Sequence, residues 1–165
     1  MNPQDIFDEI LIDGLYAKHT HVHPAKAISG LEPSKARERP SSEMHSCWEL
    51  LHHAEIWQDY TIRMLKGEKM DWREVSKVEW PTEMELEDDD EWPRLVTQFI
   101  TGIEELEKIV RSTDMTKPVP TWPRGPSGAW VLVALQHNSH HFGQIIAVRI
   151  MLDLWPPPTM DDETQ

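Results

Sequence analysis

Cysteine is all but missing from this chain: Cys47 is the single one among 165 residues. One thiol closes no internal disulfide, so nothing calls for an oxidising compartment, and a cytoplasmic protein is expected. Long apolar runs are missing as well. No stretch approaches the roughly 18 consecutive apolar residues that span a bilayer. The opening residues Met1-Asn2-Pro3-Gln4-Asp5 are too polar and acidic for a secretory or transit leader. Positive charge is scarce. Lysine and arginine number 16 against 29 acids, a formal net charge of −13. Duplex DNA and anionic lipid both select basic surfaces, so neither nucleic acid nor membrane is an expected partner. Strands with clean two-residue alternation and internal repeats of 20–50 residues are also absent.

What is present is helical periodicity. A first helix is expected over residues 3–28, with Ile6, Ile10, Leu11, Leu15 and Ala17 as its apolar side and with Gly14 and Pro24 weakening or bending it. A polar connector with two prolines follows at 30–42. The second helix is expected over 46–66, opened by Ser46-Cys47-Trp48-Glu49, which fits a capping box, and stopped at Gly67. A long connection, 68–90, contains Pro81 and the acidic run 85–91, read as solvated chain that also places negative charge at a helix start. That run lacks the glycine and the alternating oxygen ligands of a calcium loop. Leu95, Phe99, Ile103, Leu106 and Val110 mark a third helix over 91–111. A proline-rich turn at 118–126 leads to a fourth helix over 127–154, which Pro156-Pro157-Pro158 ends. The expected fold is therefore all-α: one four-helix bundle over 1–158, with a long crossover between helices two and three that makes them parallel (up-down-down-up), and a loose acidic tail at 159–165.

Histidine is abundant, nine residues, and clustered. His137 and His141 are one turn apart on one helix face, the spacing by which a helix offers two imidazoles to one metal. At about 100° per residue, Trp130, Ala134, His137, His141, Ile145, Val148 and Leu152 fall within an arc of roughly 80°, so both histidines lie inside the apolar stripe. His140 points away. On the second helix His53 shares a stripe with Leu50, Trp57 and Met64, whereas His52 sides with Glu55 and Asp59. Three inward histidines are costly to bury without partners, and one shared metal ion would satisfy all three. His19, His21 and His23 alternate, as ligands on a strand would, but alternate residues on a helix do not share a face. His45 precedes the helix cap and is expected at the surface. Cys47 is expected as a packed core thiol rather than a nucleophile.

The segment running from Ser46 through His52-His53-Ala54-Glu55-Ile56-Trp57 resembles the second helix of the DinB-like superfamily. His137-Asn138-Ser139-His140-His141-Phe142-Gly143-Gln144-Ile145 is similar to that family's other signature, His-x-x-x-His followed by Gly-Gln-Ile. Arg149 and Leu154-Trp155-Pro156-Pro157-Pro158 also look like family endings. Phe142 stands where the family usually carries an arginine or its equivalent. The resemblance implies a four-helix bundle with a crossover and a three-histidine metal site, carried over onto His53, His137 and His141, the trio that periodicity also selects.

Three neutral imidazoles leave a divalent ion with open positions, as in catalytic rather than closed structural sites. Zinc suits such ligands and nickel is also accepted. Some members of the family transfer low-molecular-weight thiols of the bacillithiol or mycothiol kind; others are described as metal-dependent hydrolases. The resemblance thus implies a metal-dependent S-transferase or hydrolase acting on a small molecule. Gln144 is a candidate for orienting a ligand, and Trp57 and Trp130 are candidates for a cavity wall, roles that plain packing would also explain. The rival expectation is a non-catalytic, metal-stabilised stress-response or interaction protein. A homodimer is expected as the commonest assembly.

Overall fold

Helix α1, Pro3–Leu15, begins where Asn2 and Asp5 cap each other's backbone N–H groups at 2.9 and 3.1 Å. This computed structural model describes residues 2–157, and only the backbone of Trp122 and Pro123; the expected acidic tail at 159–165 lies outside the described residues. The single helix expected over 3–28 is in fact two. α1 stops at Leu15 and the chain reverses through Ala17 and His19, whose φ angles of 56° and 66° are left-handed. α2, Pro24–Ile28, restarts with Pro24 in its first turn, where a missing N–H costs nothing, and the His23 ring accepts the Ala25 N–H at 3.1 Å. The buried side of α1 is also rotated from the expected one. Leu11, Ile12 and Leu15 are buried, while Ile6 and Ile10 are 47% and 61% exposed.

The polar connector contains one turn of helix, α3, Pro33–Ala36. α4, Cys47–Leu65, opens with the Ser46–Glu49 box, whose bonds are 3.2 and 2.8 Å, and Arg39 pairs with the same Glu49 carboxylate. Gly67, at φ 89°, turns the chain out of it. The long connection holds α5, Trp72–Val75, and α6, Glu83–Glu87, which starts on a Thr82–Glu85 box. α7 spans Glu91–Ser112. The proline-rich turn forms a small antiparallel pair, β1 Pro118–Val119 and β2 Trp122–Pro126, which the sequence pattern does not reveal. α8 spans Ser127–Met151.

Side-chain pairings give the directions of the four long helices. Trp48 meets Trp92, Gln58 bonds the Phe99 carbonyl and Lys66 pairs with Glu105, so α4 and α7 run the same way. Cys47 lies against Ile145 while Gln58 bonds Asn138, so α4 and α8 are antiparallel. Tyr16 bonds Glu107 and Arg111 reaches Glu9, so α1 opposes α7. The core is built from Trp48, Leu51, Phe99, Leu106, Phe142 and Ile145, each all but fully buried. A polar link crosses it: the Asn138 amide donates to Gln58 at 2.8 Å, and Gln58 donates to the Phe99 carbonyl at 2.8 Å. Gly102 makes room for this link, because a Cβ there would sit 2.3 Å from the Gln58 amide nitrogen. Arg149 is 1% exposed; it donates to the Ala27 and Leu154 carbonyls and lies over Trp155, tying α2 and the chain after α8 together. No helix among the described residues is long and apolar enough to cross a membrane.

Candidate metal centre

The antiparallel contact between α4 and α8 sets one histidine of α4 against two of α8. His53 Nε2 lies 3.2 Å from His137 Nε2, which lies 3.2 Å from His141 Nε2. The ligand atoms of the three all fall within 4.8 Å of one another. Nitrogens held at about 2.1 Å around one ion are separated by roughly 3.0 Å in an octahedral and 3.4 Å in a tetrahedral arrangement, so the observed spacing suits either. The i,i+4 pair needs only one helix to align it. The third histidine needs the register between helices, and the Asn138–Gln58 bond fixes that register about one turn away.

Hydrogen positions point the same way. Gln144 Oε1 lies 2.7 Å from His141 Nδ1 and can only accept, so that proton sits on Nδ1 and the Nε2 lone pair faces the cluster. His53 Nδ1 is buried without a hydrogen-bond partner, and the Glu79 carboxylate 3.6 Å away favours a proton there. Its Nε2 lone pair then also faces inward. His137 can donate a single Nε2 hydrogen and so cannot satisfy both neighbours. Converging lone pairs in a partly buried site are what a cation relieves, and the donor set fits a divalent ion. Burial, with mutual repulsion second, pushes His137 down to about 4. Burial also pushes His141 down to about 4, against the opposing bond from Gln144. His53 is lowered by burial, with Glu79 opposing. All three are therefore neutral near pH 7, the form that binds metal.

Two residues beside the trio come from the long connection, and the sequence pattern points to neither. Glu79 accepts the Trp57 indole N–H at 2.8 Å while facing His53. Trp80 is sandwiched between imidazoles, 4.4 Å from the His53 ring and 4.1 Å from the His45 ring. Because 68–90 has no periodicity, its one early signal is the presence of tryptophans in an otherwise polar, acidic stretch.

Beside the trio lies a chamber of about 270 Å³, walled by Trp57, Tyr60, Trp72, Trp130, Val133 and Ala134 and reaching His137. Trp57 and Trp130 both line a cavity, the candidate role set beside plain core packing, the stronger expectation from the sequence.

The remaining histidines are elsewhere. His52 Nε2 meets the Val78 carbonyl at 3.2 Å, and His140 is exposed with its ring beside His141. His45 is exposed and stacked on Trp80. His21 bonds Ser139 at 2.8 Å, His23 caps α2 and His19 is exposed in the turn, so the alternating trio does not converge. Cys47 is fully buried and burial pushes its thiol up to about 12, which removes it as a nucleophile. Phe142 packs edge-on against Phe99 at 5.3 Å and is core.

A family model described as the DinB superfamily matches residues 25–145, well over half of the chain, and spans all three histidines. No curated protein and no solved structure matches the chain.

Proposed function

The chain belongs to the DinB superfamily, and from that premise we propose that it is a metalloenzyme that transfers a low-molecular-weight thiol of the bacillithiol or mycothiol kind, or water, onto a small molecule. The observation that carries this reading is the convergence of three imidazole Nε2 atoms beside an accessible chamber. His53, His137 and His141 are the proposed ligands, and zinc or nickel the proposed ion. Such an ion supplies a Lewis acid that lowers the pKa of a thiol or water next to it. The protein's own part is positional. Gln144 holds His141 in its Nδ1–H tautomer, and Glu79 does the same for His53 from 3.6 Å. Trp80 covers the outer side of His53 and keeps water from it.

In the transfer, the thiol loses its proton to solvent, its sulfur forms a bond to an electrophilic carbon, and the leaving group departs with its electron pair. Hydrolysis substitutes water for the thiol. One experiment separates the two and tests both. Metal-free protein is reloaded with zinc or nickel and given a panel of electrophiles with and without a thiol. Thiol-dependent loss of electrophile supports transfer, and thiol-independent loss supports hydrolysis. Loaded protein that does neither, across thiols and electrophiles, leaves the non-catalytic, metal-stabilised alternative. A cytoplasmic location and a homodimer complete the proposal. For the dimer, the exposed Ile6, Ile10 and Leu132 offer apolar surface to cover, and sedimentation as a monomer at micromolar concentration rejects it.

A further inference from the structure

The chamber next to His137 says what shape of molecule reaches the histidines. Among the described residues, no lysine, arginine, aspartate or glutamate lines it. Trp57, Trp72 and Trp130 supply indole faces and Tyr60 a phenol ring, with the Trp57 and Tyr60 rings set edge-on at 5.5 Å and 72°. The wall is held in place before any ligand arrives. The Trp57 N–H is committed to Glu79 at 2.8 Å, and the Thr61 hydroxyl to the Trp57 carbonyl at 3.0 Å. Two polar groups of the wall are thus already engaged within the protein. A cavity of roughly 150 Å³ holds benzene; this one, at about 270 Å³, is close to twice that.

We propose that the chamber binds the uncharged aromatic body of the substrate, about the size of two fused rings, and presents the carbon attached to it toward His137. This rests on the metalloenzyme reading for its catalytic meaning, but the binding itself needs only the chamber walls. The reasons are physical. Flat rings bury large area against indoles in offset or edge-on contact. In the metal-free protein a carboxylate entering the same space loses hydration, and no basic side chain among the described lining residues replaces it. The chain's net charge of −13 adds a repulsive field against anions.

The test follows the indole N–H resonances of the zinc-loaded full chain during titration with naphthylmethanol, and separately with its anionic counterpart naphthoate. The same titrations are repeated on metal-free protein. Naphthylmethanol is expected to shift the Trp57, Trp72 and Trp130 signals, assigned from single Trp→Phe variants. On the metal-free protein, where no ion ligates the carboxylate, naphthoate is expected to bind at least roughly tenfold more weakly than naphthylmethanol, the factor that corresponds to 1.4 kcal/mol. Val133→Trp fills the chamber from a position already 53% exposed, so folding tolerates it. It should weaken naphthylmethanol by a similar factor and leave zinc content unchanged. Ala134→Leu, deeper in the wall, provides the second filling variant. No indole shift up to millimolar naphthylmethanol, equal binding of the anion by metal-free protein, or full binding by Val133→Trp would each overturn the inference. Its failure is distinct from failure of the metal site: wild-type protein that takes up naphthylmethanol but no zinc keeps the chamber and sinks the enzyme, whereas zinc without chamber binding does the reverse.

Discussion

Two groups of three histidines in this chain have opposite fates. His137 Nε2 lies 3.2 Å from the Nε2 atoms of both His53 and His141, and the ligand atoms of the three fall within 4.8 Å of one another. His19, His21 and His23, nearer in sequence, scatter: one lies exposed in a left-handed turn, one reaches Ser139 and one caps a short helix. Proximity in sequence is not what gathers imidazoles. The first group sits on two long helices whose packing fixes every rotational position. The second sits where α1 has ended, so each ring takes whichever local partner its backbone offers. The price of convergence is electrostatic: two of the converging rings are pushed down to about 4 chiefly by burial.

The sharpest way to break the comparison is to remove one member from each group. His137→Ala should weaken zinc or nickel binding beyond the roughly 10–100-fold that outer partners cost, whereas His19→Ala, His21→Ala and His23→Ala should leave it unchanged. Calorimetric titration of metal-free protein checks this, and equal losses in both groups would erase the distinction. Next comes Glu79→Gln, which keeps the shape but removes the charge facing His53. A loss of roughly 10-fold in metal affinity is expected, with the fold intact by circular dichroism; no loss would make Glu79 merely a partner for Trp57.

A third expected outcome concerns pH. His137 and His141 titrate near 4 when folded against an ordinary value of 6.5. Between those values the unfolded chain binds more protons, so lowering pH through this window should destabilise the metal-free protein, and the effect should level off below about 4. Urea melts at a series of pH values test the sign. In His137→Ala the dependence should shrink. The smallest effect is expected in the scattered group. His23→Ala removes a helix cap and should cost about 1 kcal/mol of stability, read by the same melts, with metal affinity unaltered.

The parts legible in the sequence were those with period. Ser46 and Glu49 announced the start of α4 through their spacing, and Gly67 its end. The stripe through His137, His141 and Ile145 put the imidazoles inward before any contact was known, because a long helix fixes direction from spacing alone. What stayed hidden depends on contacts between segments. Glu79 and Trp80 lie in a connection whose path follows from the His52–Val78 and Trp57–Glu79 bonds, not from any repeat. The division of the first helix was half legible: Gly14 and Pro24 signalled weakness, but only the left-handed turn at Ala17 and His19 decides that the chain stops rather than bends. Ile12 displaced Ile6 and Ile10 from the buried side because α1 packs across α7 and α8 together, which rotates the covered arc.

Trp80 between His45 and His53 has a consequence for time as well as for place. The connection is pinned over the trio by that stack, by the Trp57–Glu79 bond and by the His52–Val78 bond. For His53 to swing off a bound ion, these contacts must let go together. Residence is then governed by the opening frequency of the connection rather than by the strength of the nitrogen bonds alone. Trp80→Ala should accordingly speed release to a chelator more than it weakens equilibrium binding, and stopped-flow exchange would separate the two. The segment with the least sequence pattern thus becomes the clock of the site.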